Sequence, residues 1–265
     1  MQPSNQRVTV AVIGGSGVYD LFDPERSEQR RIETPYGPAD VTLGALAGKV
    51  VAFLTRHGVD HSVAPHLINF RANIWALASL GVKAIVSSAA VGGVSPDYPP
   101  GTLALLDQYL DRTHGRADTF YDRGSVQHLA SADPFDPALR AIAKAALGDE
   151  VEPEGTVVVI QGPRFSTRAE SLWFRSAGAH VVNMTLYPEV PLAAELNIGT
   201  VTLAFVTDSD AKAEDEVSAE LVFRRLAQAQ PRIIRAIERI VAAIPDDYAG
   251  RQLIAPSEVE AVLAR

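Results

Sequence analysis

The chain alternates short apolar runs with segments of helical periodicity. Seven apolar runs of strand length predict buried strands, at or beginning at residues 8–13, 50–54, 84–86, 102–106, 156–160, 181–183 and 200–206. Apolar residues at helical spacing predict helices over residues 69–80, 218–244 and 257–264, and an amphipathic helix is predicted between the last two strands. Alternating strands and helices indicate an α/β sheet with helices packed around it, which we interpret as one domain over residues 1–265.

Several of the predicted strands end in glycine or in polar residues. In open α/β sheets, ligands bind at the carboxyl ends of strands. The stretch Gly14-Gly15-Ser16-Gly17, the pair Arg56-His57 and the small residues 87–93 all offer groups that suit an anion. Alone, the glycine stretch favours a tight turn and residues 87–93 favour close packing. For Arg56 and His57, the sequence favours two interpretations equally: an anion-binding site, or a pair of side chains on the protein surface.

Asp208 and Asp210 follow the last predicted strand, two residues apart. A carboxylate at this place is suited to accept a hydrogen bond from an exocyclic amine, and a protonated carboxyl is suited to donate one to a ring nitrogen. The alternative is a solvated Asp-Ser-Asp turn. Phe165 follows another strand and suits stacking on an aromatic ring, although a phenylalanine is more often part of a core. Together the strand ends predict a site for phosphate and a nucleoside.

Composition narrows the classes of function. Twenty-four basic against 32 acidic residues give a net charge of −8, which argues against a nucleic-acid partner. The apolar runs are too short to span a membrane, and the residues before the first strand lack the apolar core of a signal peptide, so we expect a cytoplasmic protein. There is no cysteine, hence no disulfide or thiolate site. Asp20 interrupts the dinucleotide-binding glycine pattern, which argues against an oxidoreductase.

The chain resembles the trimeric purine nucleoside phosphorylases, and among them the branch that acts on 5′-methylthioadenosine. The resemblance extends over residues 8–244 and rests on a series of short motifs. These motifs are VIGGSG, TPYG, RHG, ANIWAL, DRT, QGPRFSTRAES, VNMT, PE and TDSD. The resemblance implies one mixed, distorted β-sheet flanked by helices, assembled as a homotrimer.

The same resemblance implies roles for individual residues. Phosphate would be held by Ser16, Arg56, His57, Ala90 and Thr185. The nucleoside would be held by Phe165, Asn183, Met184, Ala219, Val222 and, from the neighbouring subunit, His128. Asp208 and Asp210 would read N7 and the 6-amino group of the purine. No metal and no organic cofactor is expected, and phosphate is the co-substrate.

The implied reaction is phosphorolysis of 5′-methylthioadenosine to adenine and 5-methylthioribose 1-phosphate. Asp208 favours a 6-amino purine, since 6-oxopurine phosphorylases typically carry asparagine there. Ala219 enlarges the 5′ pocket relative to a valine. A nucleoside with another small 5′ group, even a halogen, is therefore an alternative substrate. Ala89 stands where relatives often carry a hydroxyl residue, so one phosphate hydrogen bond is either absent or supplied by Ser88. The alternatives are a 6-oxopurine phosphorylase for inosine, guanosine or methylthioinosine, a nucleoside hydrolase, and a non-catalytic purine-binding protein.

Overall fold

The computed structural model describes residues 8–18, 21–58, 60–209 and 218–265. Within these ranges the strands are β1 (Val10–Gly14), β2 (Glu28–Ile32), β3 (Ala39–Leu46), β4 (Lys49–Thr55), β5 (Ala84–Gly93), β6 (Leu103–Leu105), β7 (Gln108–Arg112), β8 (Thr156–Ile160), β9 (Val181–Asn183) and β10 (Gly199–Ser209). The α-helices are α1 (Phe70–Ser79), α2 (Pro137–Leu147), α3 (Arg168–Ser176), α4 (Leu186–Glu195), α5 (Ala219–Ala243) and α6 (Pro256–Leu263). Short 3₁₀ turns lie at Pro24–Arg26, Pro65–Leu67 and Gly148–Glu150.

The described strands form one mixed sheet. Its main order is β2-β3-β4-β1-β5-β9-β8-β7, and β10 pairs with β5 and β6 off this path. β1 lies parallel between β4 and β5, whereas β2, β3 and β4 pair antiparallel and β9 runs antiparallel to β5. The mixed, distorted sheet predicted from the sequence is confirmed.

The two faces of the sheet are covered by different helices. Along β1, Ala11 and Ile13 pack into a core shared with α1, α4 and α6. Val10 and Val12 pack into a second core shared with α2 and α5. Successive side chains of a strand point to opposite faces, so both faces of β1 are buried and its sequence is a continuous apolar run.

All seven predicted strands are present, but three strands were missed in the sequence. β2 carries the polar sequence EQRRI and is largely exposed, and β3 alternates buried and exposed residues. β7 lies at the edge of the sheet and carries the largely polar sequence QYLDR. These strands lack the apolar run because one or both of their faces meet solvent.

The helix predicted between the last two strands is present, but its pattern of burial differs from the prediction. α4 was expected to be amphipathic, but its residues are buried almost throughout, including Glu189 and Glu195. These two acids are polar positions with buried partners and do not mark a solvent face. Thr167 and Glu170 form a capping box at the start of α3. None of the helices in the described ranges combines the length and apolar character needed to cross a bilayer.

Candidate active site

A cavity of about 350 Å³ opens where several strands end and α4 and α5 begin. Eleven of the thirteen residues singled out in the sequence line this cavity. They are Ser16, Arg56, His57, Ala90, Phe165, Asn183, Met184, Thr185, Asp208, Ala219 and Val222. Residues far apart in sequence therefore meet at one place, at the strand ends where a ligand was expected.

The glycine turn after β1 brings backbone close to backbone. A β-carbon on Gly15 would lie 2.5 Å from the carbonyl oxygen of Ser88, so the turn needs glycine there. The N–H of Gly15 donates to Oγ of Ser88 at 3.0 Å. Ser88 is thus engaged with the turn and does not line the cavity, whereas Ala89 does. The structure places the hydroxyl suggested as a substitute for Ala89 behind the cavity wall.

Arg56 forms a buried ion pair with Glu189 of α4. Its Nε and Nη2 donate to the two carboxylate oxygens at 2.6 and 2.7 Å, and Nη1 donates to the Ser88 carbonyl at 3.0 Å. The side chains are 1% and 4% exposed. This two-pronged geometry fixes the plane of the guanidinium. Three of its five N–H groups are used in these bonds, which leaves two for a ligand in the cavity.

His57 is held as a neutral ring. Its Nδ1 lies 2.8 Å from the carbonyl oxygen of Val63, which can only accept, so Nδ1 carries the proton. The pKa of His57 is lowered to about 4, chiefly by burial and to a lesser extent by the charges of Arg56 and His61, while the bond to Val63 acts in the opposite direction. At neutral pH, Nε2 of His57 is therefore unprotonated and accepts hydrogen bonds.

Asn183 shapes the start of α4. Its Oδ1 accepts from the backbone N–H groups of Thr185 and Leu186 at 2.7 and 2.9 Å, and Nδ2 donates to the Ala90 carbonyl at 3.1 Å. One amide thus joins the end of β9, the first turn of α4 and β5. Its hydrogen bonds explain how Ala90 and Thr185 come to line the same cavity.

A bulge near the end of β10 directs Asp208 to the cavity. The register with β5 shifts between Val206 and Asp208, so Thr207 is the extra residue. Oγ1 of Thr207 lies 2.5 Å from Oδ1 of Asp208 and 3.2 Å from the carbonyl oxygen of Val91. Arg225 of α5 donates to the carbonyl of Thr207 from the other side. Asp208 is 3% exposed, so the bulge places an acid in a nearly dry wall.

An apolar wall completes the cavity. Ala219, Val222 and Phe223 from the first turns of α5 line it together with Phe165, which is 40% exposed. The rings of Phe223 and His61 stand perpendicular with centroids 5.1 Å apart. This wall offers no charge, and it suits an apolar substituent or a ring face.

The geometry agrees with a comparison of the sequence with protein families. A sequence model of the Phosphorylase superfamily matches residues 9–242. The chain belongs to the phosphorylase superfamily. It carries a cavity with anion donors at one end and a buried acid at the other, in keeping with a family that acts on nucleosides and phosphate.

Individual phosphorylases are similar over nearly the whole chain. The S-methyl-5′-thioadenosine phosphorylase of Mycolicibacterium smegmatis is 47% identical, over 89% of this chain and 91% of that protein. The purine nucleoside phosphorylase of Streptomyces coelicolor is 46% identical, over 90% of each. The solved methylthioadenosine phosphorylase from Schistosoma mansoni in complex with adenine matches with a TM-score of 0.86 at 31% identity, over 97% of this chain and 98% of that chain.

Two of the expected phosphorylase residues are not among the described residues that line this cavity, for different reasons. His128 is exposed and does not line the cavity of its own protomer. An exposed position is what we expect of a histidine that enters the nucleoside pocket of a neighbouring subunit. That role of His128 stays a prediction. Asp210 lies outside the described residues. In the ranges that the structure covers, no cluster of three or more histidine, aspartate and glutamate side chains is suited to a metal ion.

Sequence reasoning assigned no role to four residues that matter to the geometry. Glu189 orients Arg56, Thr207 contacts Asp208, and His61 and Phe223 line the cavity. Three of them had a signal in the sequence. Glu189 stands in the PE motif, Thr207 opens the TDSD motif, and Phe223 lies four residues after Ala219, on the same face of a helix. Nothing in a single sequence pairs Glu189 with Arg56, because they are 133 positions apart.

Proposed function

We propose that the protein cleaves 5′-methylthioadenosine with inorganic phosphate, releasing adenine and 5-methylthioribose 1-phosphate. The observation that carries this proposal is one cavity that joins hydrogen-bond donors, a buried acid and an apolar wall. The donors suit phosphate, Asp208 suits a purine, and the α5 wall suits a methylthio group. Relatives named S-methyl-5′-thioadenosine phosphorylase, similar over most of the chain, support the choice of substrate.

Phosphate would lie between Ser16, Arg56, His57, Ala90 and Thr185. Glu189 holds Arg56 so that its two remaining N–H groups are available to an oxyanion. Because Glu189 neutralises Arg56 and His57 is uncharged, binding would depend on directed hydrogen bonds more than on net positive charge. The unprotonated Nε2 of His57 would accept from the hydroxyl of hydrogen phosphate.

The purine would lie against Phe165 and Asp208. In the reaction, a phosphate oxygen forms a bond to C1′ while the bond from C1′ to N9 breaks and its electron pair passes to the purine. A proton moving from Asp208 to N7 would neutralise the leaving base, and such general acid catalysis typically contributes about 10²–10⁴ in rate. Asp210 would take part in reading the 6-amino group, and no metal or organic cofactor would take part.

The contact of Thr207 supports a protonated Asp208. The threonine hydroxyl has one proton but lies near two oxygens, Oδ1 of Asp208 and the carbonyl oxygen of Val91. It can donate to only one of them. If Asp208 carries a proton on Oδ1, Asp208 donates to Thr207 and Thr207 donates to Val91, so that both contacts become hydrogen bonds. The same proton would pass to the base when Asp208 exchanges Thr207 for N7 as its acceptor.

The sugar would lie between these two ends. We assign its hydroxyl contacts to the backbone of Met184, with Asn183 close by, and its 5′ group to Ala219 and Val222. His128 of a neighbouring copy would close the pocket in a homotrimer. The cytoplasmic location expected from the sequence also stays a prediction.

Product analysis tests the reaction. The protein is incubated with 5′-methylthioadenosine, adenosine, inosine or methylthioinosine, each with and without phosphate, and the released base is quantified. We expect phosphate-dependent adenine release from methylthioadenosine and little hypoxanthine from the 6-oxo substrates. Dominant hypoxanthine release would instead make this chain a 6-oxopurine phosphorylase, a reading favoured by its similarity to the Streptomyces coelicolor enzyme. Base release without phosphate would indicate a hydrolase.

A further inference from the structure

Arg116 binds the outer side of the cavity wall. It lies in the segment between β7 and α2, and its half-buried guanidinium points toward the ends of β8 and β9. Nη2 donates to the carbonyl oxygens of Gln161 at 3.0 Å and Met184 at 2.9 Å, and Nη1 donates to that of Tyr187. Nε also donates to the side-chain oxygen of Gln161 at 3.3 Å. One side chain thus joins these three backbone positions and a fourth, the carbonyl of Ile160, at 3.5 Å. They belong to the end of β8 with the connection that follows it, and to the connection from β9 into the first turn of α4.

These two connections carry the nucleoside side of the cavity. The connection after β8 contains Phe165, and the connection after β9 contains Met184. They touch each other closely, since a β-carbon on Gly162 would lie 2.7 Å from the sulfur of Met184. The peptide between Met184 and Thr185 is held at both ends. Its carbonyl accepts from Arg116 and its N–H donates to Oδ1 of Asn183 at 2.7 Å.

We infer that Arg116 is a positioning residue that sets the nucleoside side of the cavity without touching the substrate. The inference rests on the proposed function, because it takes that side of the cavity to bind the nucleoside. Of the groups assigned to phosphate, Ser16 after β1 and Arg56 and His57 after β4 make no hydrogen bond to Arg116 within the described residues, and only Thr185 adjoins the peptide that Arg116 holds. Loss of Arg116 is therefore expected to affect nucleoside binding more than phosphate binding.

The chemistry of the guanidinium explains why arginine is needed. Its planar fork presents five N–H donors, so it can reach three carbonyls at once. A lysine offers three N–H groups on one nitrogen and cannot span the same positions. A methionine has similar length but no donor, and it would leave the two connections free to move apart.

Arg251 provides a matched control. Its Nη1 also donates to backbone carbonyls, those of Asp133 at 2.7 Å and of Pro134 and Phe135 at 3.4 Å. These carbonyls belong to the far end of the same segment between β7 and α2, and none of these residues lines the cavity. Arg251→Met therefore removes comparable backbone hydrogen bonds, together with a 3.9 Å ion pair to Asp136, at a place where no effect on substrate binding is expected.

The test compares steady-state kinetics and melting temperature for Arg116→Met, Arg116→Lys, Arg251→Met and the unsubstituted protein. In Arg116→Met, KM for methylthioadenosine should rise about tenfold or more while KM for phosphate changes less than about threefold. Arg116→Lys should lie between this variant and the unsubstituted protein, and it carries the test if Arg116→Met does not fold. Arg251→Met should lower the melting temperature and leave both KM values unchanged.

Two results would overturn the inference alone. One is an equal rise of both KM values, or none, in the Arg116 variants of an active enzyme. The other is the same change of nucleoside KM in Arg251→Met, which would show a general effect of lost stability. Absence of phosphate-dependent adenine release from the unsubstituted protein would overturn the proposed function, and this inference with it.

Discussion

Two buried acids beside the cavity differ in what their oxygens contact. Both oxygens of Glu189 accept from Arg56, so this carboxylate is tied to a permanent cation and serves to orient it. Asp208 faces the cavity and contacts the hydroxyl of Thr207, which can accept a hydrogen bond from it or donate one. The same functional group is thus suited to holding a guanidinium in one place and to proton transfer in the other.

Asp208→Asn should weaken the preference for adenine nucleosides. The amide keeps the size of the side chain but removes the acid that would donate to N7, and it presents an NH₂ group suited to a 6-oxopurine. We expect the ratio of kcat/KM for methylthioadenosine over methylthioinosine to fall by about a hundredfold. Measured kcat/KM values for both substrates check this. An unchanged ratio in a folded variant would remove Asp208 from base selection.

The buried ring of His57 should make stability depend on pH. Its pKa is about 4 in the folded protein, whereas a histidine in an unfolded chain titrates near 6.5. Below about pH 6.5 the unfolded state therefore binds more protons, so the free energy of unfolding falls as pH decreases toward about 4. The contribution is fully present above the unfolded pKa, and its loss amounts to about 3 kcal/mol.

Urea unfolding at about pH 7.5 and about pH 5 measures this contribution. His57→Gln should lose less stability between the two pH values than the unsubstituted protein does. His66→Gln replaces an exposed histidine nine positions along the chain and serves as the control. Equal losses in all three proteins would show that His57 does not contribute to the pH dependence.

The sequence predicted half of the residues that line the cavity, but not how they are held. Ser16, Arg56 and Asp208 were recognisable because polar groups at strand ends and family motifs mark them. Glu189 and Arg116 act through contacts between distant parts of the chain, at 133 and 68 positions from Arg56 and Met184. Such pairings depend on the sheet order, which a single sequence does not specify.

At the scale of elements, the ion pair of Arg56 and Glu189 joins the end of β4 to α4. Removing one partner leaves a buried charge unpaired, so Arg56→Met and Glu189→Met should each lower the free energy of unfolding by about 3 kcal/mol or more. The double variant replaces both charges with apolar side chains and should recover much of this loss. It should not recover phosphate-dependent turnover, because no guanidinium remains.

Denaturant unfolding and activity of the three variants separate these two roles. Single variants as stable as the unsubstituted protein would show that the ion pair does not stabilise the contact between β4 and α4. Turnover by the double variant at the unsubstituted rate would show that Arg56 is not needed for phosphate.

The first turns of α5 should set the selectivity for the 5′ group. Ala219 lines the cavity, and a valine there would reduce the space beside Val222. Ala219→Val should change the relative kcat/KM for methylthioadenosine, adenosine and a 5′-halogenated analogue by about tenfold, the scale of one or two methyl groups in a pocket. Ala227→Val makes the same substitution at an exposed position of α5 and should change nothing. Unchanged ratios in Ala219→Val would remove this residue from the 5′ pocket.

Elements buried on both faces were predictable from the sequence, and elements at the edges were not. β8 and β10 show as apolar runs because helices or strands cover both of their faces. β2 and β7 lie at the two ends of the main strand order and carry polar residues, so no apolar run marks them. α4 was misjudged for the opposite reason, since its two glutamates are buried with partners.

At the scale of the whole molecule, the cavity and the segment between β7 and α2 belong together. The beginning of this segment is tied to the cavity wall through Arg116, while Val126 and His128 farther along are exposed. Val126 is 71% exposed, and the nearby His128 does not line the cavity of its own protomer. Such residues are suited to an interface with another copy of the chain. In the predicted homotrimer, both residues would lie in a contact between subunits.

Light scattering coupled to size-exclusion chromatography measures the mass of the assembly. A homotrimer should have three times the chain mass of 28.4 kDa. His128→Ala should keep this mass and raise KM for the nucleoside by about tenfold, since one polar contact to the sugar is lost. A monomer at assay concentrations would leave His128 without its proposed role.

Mixing of variants decides whether His128 acts across the interface. Asp208→Ala inactivates the cavity of its own protomer but leaves its His128 intact, and His128→Ala does the reverse. If the histidine is donated to a neighbour, trimers assembled from both variants contain some cavities with an intact Asp208 and a neighbouring His128. Activity of the co-refolded mixture should therefore exceed the mean of the two separate variants. Activity equal to that mean would place the function of His128 within its own protomer, in conflict with its distance from the cavity.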